Sequence, residues 1–297
     1  MTTCAELIEE TRSHASGGHR SELNRLDGAA SAAATSLTFK YDLGAIRQGA
    51  VVSVGLERVR VWETSAAKVA SVVERGVDGS AAVSHLDLAV ARVNTQFDDF
   101  ACLRALNHEL DALSAPSMGL FRIVTIDLTW AASTYGYNLL GVTDIEDVLS
   151  VQWEGYTGDE WIPVSPKEWR LGRSQSTTDF ASGLALFFDS PVSGRAVRVV
   201  YKAPFTRLAT LADNVESVTG LPASAIDIPP LGAAARLVAP TEAARVTLDV
   251  QGNTRRAEEV PAGARFNTAR GLMALRDEAV RREATRLARD FPVSLSR

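Results

Sequence analysis

A serine and a histidine placed close together are the first chemistry this sequence offers. Ser80 and Ser84 precede His85. Such a pair activates a hydroxyl for acyl transfer when an acid orients the imidazole and backbone N–H groups receive the oxyanion. No Gly-x-Ser-x-Gly elbow occurs in the chain, so His85 is expected to be a hydrogen-bonded structural histidine near a strand end. Just upstream, glycines bracket Arg75-Gly76-Val77-Asp78-Gly79. A phosphate loop would end in Gly-Lys-Ser/Thr and open a helix. Neither is legible, so Gly76 and Gly79 are expected to be residues of a hairpin turn, chosen for positive φ.

Carboxylates gather at Asp144, Glu146 and Asp147, and again at Glu154, Asp159 and Glu160. A glycosidase would need two of them opposed across a cleft, whereas a solvated loop, or at most a weak calcium site, needs only local proximity. The four histidines (His14, His19, His85, His108) and two cysteines (Cys4, Cys102) have no metal-ligand spacing. No catalytic, cofactor-binding or metal-binding set is assigned, and the chain is not expected to be an enzyme. Four of the five tryptophans, Trp130, Trp153, Trp161 and Trp169, fall between residues 120 and 202. They are expected in a core, with a sugar-stacking platform as the alternative.

With 297 residues, 46% of them hydrophobic, the chain can bury a sizeable core. A formal net charge of −5 gives no basic excess to recruit nucleic acid. No apolar run approaches the length of a membrane span, and the first ten residues, with Glu6, Glu9 and Glu10, lack the apolar stretch of a signal peptide.

The expected fold is mainly β with helical additions: a small β-barrel or sandwich module, a second jelly-roll-like β-sandwich, and α-helical N- and C-terminal segments. Residues 1–36 would be a helical segment and linker. Helix is expected at 3–11, capped by Thr3 and Glu6, ended by Gly17-Gly18, and briefly again at 21–26. Residues 37–115 would form the first β-module, from period-two alternation at 37–41, 51–54, 57–62, 69–74 and 90–93. A helix at 97–113 follows, its apolar face carrying Phe100, Leu103, Leu106 and Leu110. Residues 116–204 would form the sandwich, with strands at 123–129, 148–154, 161–164, 169–171, 184–188 and 195–201 and a hairpin turn at 156–159. Residues 205–297 turn helical, at 208–215, 225–228, 231–238, 240–251 and 261–291. The last helix carries Arg270, Arg276, Arg281, Arg282, Arg286 and Arg289 beside a thin apolar stripe. Pairs such as Glu278 with Arg282 suit a solvated helix. Arginine-rich stripes also suit docking to a partner.

One stretch carries a resemblance. Gly49-Ala-Val-Val-Ser-Val-Gly-Leu-Glu57, the strand at 59–61, Val73-Glu-Arg-Gly-Val-Asp-Gly-Ser80 and Ala81-Ala-Val-Ser-His85 resemble a compact β-module of tailed-bacteriophage virion proteins. The general layout around it resembles head-to-tail connector (neck) proteins of actinobacterial phages. The motif lies within residues 49–85, and it departs from the pattern at Leu86-Asp87-Leu88, where a glycine turn follows the histidine. The resemblance implies an adaptor in the virion neck, assembled in the host cytoplasm. It would stand in a ring of copies, a dodecamer, docked to the portal protein and to further neck or tail proteins. It would touch channel DNA only non-specifically and meet no membrane. A tail or baseplate component is the neighbouring reading, and a carbohydrate-binding module in host adsorption the reading from another class.

Overall fold

A computed structural model of the chain describes residues 2–16, 22–44, 46–129, 136–139, 144–155, 160–189, 196–249 and 263–291, with backbone alone over 242–249. The terminator Gly17-Gly18, His19, Trp130, the turn at 156–159 and the stretch 250–262 lie outside the described residues. The fold is β-rich with helical additions. It divides into two compact units, one of residues 1–110, 207–218 and 222–279, the other of residues 111–206, 219–221 and 280–297.

In the first unit, helix α1 (Cys4–Ser16) begins with a reciprocal cap. The Thr3 N–H donates to Glu6 Oε2 at 2.8 Å, and the Glu6 N–H donates to Thr3 Oγ1 at 3.3 Å, which satisfies two of the N–H groups a helix start leaves open. Strands β1 (Glu22–Arg25), β2 (Leu37–Thr38), β3 (Val51–Val54), β4 (Glu57–Ala66), β5 (Val69–Arg75) and β6 (Val90–Val93) form one antiparallel sheet in the order β1-β6-β3-β4-β5-β2. Its two edges meet: Leu26, just past β1, bridges Phe39, just past β2, and the Lys40 N–H donates to Arg25 O at 2.8 Å. The sheet therefore curls shut, which removes exposed edges. Leu26, Leu37, Phe39, Val52, Val54, Val59, Val61, Ala70 and Ala91 fill its interior. Each fully buried large aliphatic or aromatic side chain contributes about 1.5–3 kcal/mol.

Residues 21–26 were expected to be helical. Residues 22–25 form β1 instead, because four residues are too few to express a period and pairing along β6 decides their state. Asn24 faces inward and uses its amide against both the N–H and the carbonyl of Tyr41. The 3-10 turn at Val77–Gly79 does not join paired strands either, since β5 pairs with β4 and β2 while β6 pairs with β1 and β3. The hairpin reading of that turn is corrected to an excursion between strands.

Helix α2 (Asp99–Leu113) is capped by Asp98, whose Oδ1 accepts the Ala101 N–H at 2.7 Å. Leu103, Leu106, Leu110 and Leu113 are buried along one face, Phe100 only partly.

The second unit contains β7 (Arg122–Thr129), β8 (Gly136–Asn138), β9 (Asp147–Glu154), β10 (Trp161–Pro163), β11 (Trp169–Gly172), β12 (Ala185–Phe188) and β13 (Ala196–Ala203). They make two antiparallel sheets, β10-β9-β13-β7 and β11-β12-β8. Side chains from both sheets share one core, including Val151, Val197, Val199 and Tyr201 from the first and Tyr137, Leu186 and Phe188 from the second. Alternate burial along β13 follows the two-residue period of a half-buried strand.

Helix α3 (Val215–Thr219) starts later than expected. Residues 208–214 are not helical, because the Asp213 carboxylate takes the N–H groups of Ala209 and Thr210 and the Thr210 hydroxyl, a local alternative to helical bonding. Helix α4 (Ile228–Asp249) runs through Pro240. Helix α5 (Ala264–Asp290) closes the described chain.

Candidate functional site

The resemblance motif converges on one carboxylate. Glu57 opens β4 just after the tight turn at Gly55 (φ 56°). Its parity is that of Val59 and Val61, so its side chain points into the closed sheet and is 0% exposed. Five donors meet it. Oε1 accepts from Arg75 Nε at 2.5 Å and the Gly76 N–H at 3.2 Å. Oε2 accepts from Arg75 Nη2 at 2.8 Å, the Val83 N–H at 3.0 Å and His85 Nε2 at 2.8 Å. A carboxylate only accepts, so His85 Nε2 carries the proton. Burial pushes the Glu57 carboxyl up, but Arg75, the Val83 N–H and His85 outweigh it and hold the group below its ordinary value.

The chain from 75 to 89 is wrapped around this point. Arg75 also donates to Ser31 O at 2.7 Å and Val83 O at 2.6 Å. The His85 backbone pairs in both directions with Ala30. Gly76 takes φ 64° and Gly79 φ 84°. A Cβ at Gly76 would also lie 2.9 Å from the Ala82 nitrogen. Ser80 Oγ donates to Val77 O and accepts the Arg58 N–H, both at 2.9 Å, so the hydroxyl is committed inside the turn. Ser84 is exposed. A Glu–His pair is therefore present, and it acts on backbone rather than on a serine.

A second carboxylate escaped the sequence reading. Glu109 on α2 is also 0% exposed and lies between Arg276 Nε (2.7 Å) and Arg236 Nε (2.8 Å). Gly232 of α4 lies against it, and a Cβ there would sit 2.2 Å from the carboxyl carbon. Arg276, expected as a docking residue, is 3% exposed and spent within the first unit, and that expectation is corrected. Among the other arginines of α5, Arg286 pairs with Glu283 and Asp290 of its own helix and Arg289 approaches Asp290 at 3.5 Å. Arg270 lies over Phe266, and Arg281 and Arg282 are exposed. A third cluster ties Arg12 to Phe97 O, Asp99 and Glu9, with Arg92 against Glu9 and Asp99.

Both buried carboxylates carried a readable signal, a charge on an apolar period: Glu57 in step with Val59 and Val61, Glu109 in step with Leu106 and Leu113. Two of the acids expected between 144 and 160 have short-range partners among the described residues. Asp144 pairs with Arg122 at 2.7 Å and Asp147 accepts the Val148 N–H. Among the described residues no group of three or more His, Cys, Asp or Glu could hold a metal, and no helix is long and apolar enough to cross a membrane. Cys4 and Cys102 are free and buried, and burial above all pushes both thiols up to about 12. Trp153 and Trp169 pack partly against the second core, and Trp161 lies beneath the Arg198 guanidinium, 3.7 Å from the ring centroid. No protein-family model and no curated protein matches this chain.

Proposed function

We propose that this chain is a structural virion protein of a tailed phage, an adaptor in the head-to-tail connector that docks to copies of itself, to the portal protein and to further neck or tail proteins. The observation that carries the reading is how the motif is used. Glu57, Arg75, Gly76 and His85 saturate one another and clamp an exposed loop. A fully saturated carboxylate is a poor base, whereas a clamped loop is a good contact element, because its ordering cost is met before binding. The resemblance of 49–85 to a virion β-module supports the assignment of the assembly. The sugar-platform reading loses ground because Trp153 and Trp169 are packed on a core.

The test is to locate the tagged chain by electron microscopy in particles of the phage that encodes it, alongside co-purification with the portal protein. Density at the neck is expected. Particles lacking the chain would overturn the reading, as would turnover of cell-wall or nucleotide substrates that vanishes in His85→Ala.

A further inference from the structure

Two surfaces of the first unit remain without a role. One is the loop that the Glu57 cluster holds. Leu86 at its tip is 82% exposed, and Val83, Leu88 and Val90 beside it are exposed as well. A flexible loop with this composition would fold its leucines inward, but this one is pinned. The Leu88 N–H donates to Leu26 O, the Leu26 N–H to Ala89 O and the Ala89 N–H to Leu86 O, and Asp87 Oδ1 accepts from the Gly28 and Leu88 N–H groups at 2.7 and 2.9 Å. Leu88 is held at φ 64°, a left-handed conformation that strains a leucine. The tip thus presents leucine, aspartate, leucine in one fixed shape.

The other surface is a groove of about 520 Å³ between α2 and α4. Ala101, Ala105, Leu237, Ala239 and Pro240 give it an apolar floor, and Arg58, Arg104, Arg236 and His108 rim it, with no acid among the described residues that line it. Arg58 and Arg236 are committed to Asp98 and Glu109. Among the described residues Arg104 is exposed and stacks on Phe100, its guanidinium 5.8 Å from the ring centroid. The groove therefore suits an apolar side chain with a carboxylate next to it, which is what the loop tip offers.

We infer that the loop at residues 84–90 of one copy docks in the α2–α4 groove of the next, with Leu86 on the apolar floor and the Asp87 carboxylate against Arg104. Adjacent residues of β4 separate the two surfaces. Glu57 points inward to the loop clamp, and Arg58 points outward to Asp98 and Phe100 beside the groove. A pinned loop on one face of the strand cannot reach a groove off the other face of the same chain, so its partner is a second copy. Unlike surfaces meeting in this way make a head-to-tail contact, which propagates until a ring closes or a fibre grows. The inference deepens the assembly reading, naming which surfaces join the copies.

The experiment is sedimentation velocity and native mass spectrometry on the full chain over a concentration series. The wild type is expected to self-associate. Leu86→Glu and Arg104→Glu, both at exposed sites and both checked by circular dichroism and melting, should each weaken association roughly tenfold or more. Mixed in equal amounts, they should form dimers and nothing larger, because one retains a groove and the other a loop. A wild type that stays monomeric, a variant that associates like wild type, or a mixture that stays monomeric would overturn the contact. So would Arg104→Glu abolishing duplex DNA binding while leaving self-association intact. The two proposals fail separately. A chain that associates in this way but is missing from particles refutes the virion role alone, and Leu86→Glu incorporated normally at the neck refutes the contact alone.

Discussion

Glu57 and Glu109 are both wholly buried carboxylates answered by arginine, but they do different work. Every donor to Glu57 lies within 28 residues of it along the chain, and two of the five are backbone N–H groups. Glu109 is answered by side chains 127 and 167 residues away, on α4 and α5. The first carboxylate shapes a loop, and the second ties distant helices to one point. A charge buried among local donors is a device for local shape, and one buried among distant side chains is a device for closing the fold.

Removing each acid separates these roles. Glu57→Ala orphans a guanidinium that is itself buried and leaves two N–H groups and an imidazole without their acceptor, so a loss of about 3–5 kcal/mol is expected in denaturant unfolding. Glu109→Ala should cost less, about 2–3 kcal/mol, because Arg236 is 43% exposed and can turn to water while Arg276 cannot. The readouts differ in kind. Protease nicking should begin in the 76–89 loop for Glu57→Ala and at α5 for Glu109→Ala. The pair Glu109→Met with Arg276→Met should recover most of the stability lost in Glu109→Ala, since replacing both charges leaves neither one buried alone. Nicking at the same place in both variants would erase the distinction drawn between the two carboxylates.

The same contrast explains what was legible in the sequence. Strands β3, β4 and β5 and, in the second unit, β7, β9, β10, β11, β12 and β13 are legible from local apolar patterning, and the α1 cap follows from Thr3 and Glu6; β8 (Gly136–Asn138) was not expected. The Glu57 cluster was half legible. The motif named its residues, and the glycines announced positive φ, but the convergence on one carboxylate needed the closed sheet. Strand β1 was not legible, because only its pairing with β6 distinguishes it from a helical turn. Arg276 reads as a docking arginine from sequence because its partner lies 167 residues upstream, and nothing in a window around α5 reveals Glu109.

The glycines give the next largest effects. Gly76→Ala places a Cβ 2.9 Å from the Ala82 nitrogen at a positive φ, so both steric overlap and backbone strain oppose it, and about 2–3 kcal/mol should be lost. Gly79→Val meets nothing within 4 Å at φ 84° and should cost somewhat more than about 1 kcal/mol from strain alone. Gly232→Ala sharpens the comparison from the other side. It drives a methyl into the Glu109 carboxylate, so its damage should shrink once Glu109→Ala has removed the overlapping atoms. Equal melting temperatures for Gly79→Val and wild type would refute the turn's need for glycine.

The smallest effect is set by pH, because two carboxylates push it in opposite directions. Glu57 sits below its ordinary value, the donors around it outweighing its burial. Its contribution to stability is fully present above the unfolded carboxyl value of about 4.3 and is lost as pH falls through its lower folded value. Asp99 is raised, its burial outweighing the attraction of Arg12 and Arg92. Its sign is reversed: what it contributes is fully present below its unfolded value of about 3.9 and is lost as pH rises through the raised folded value. The two windows lie end to end, Glu57 acting below about 4.3 and Asp99 above about 3.9, so wild-type stability should pass through a maximum near about pH 4. Glu57→Gln keeps most of the shape and removes one slope, so its acid limb should be flatter than the wild type's, or even rise toward low pH. Asp99→Asn removes the other and should flatten the limb above about pH 4 while leaving the acid fall in place. Urea midpoints measured at several pH values for the three proteins decide it. If Glu57→Gln leaves the acid limb as steep as in wild type, the Glu57 carboxylate is not the ionised, five-donor centre described here, and the claim that it shapes the loop by charge fails with it.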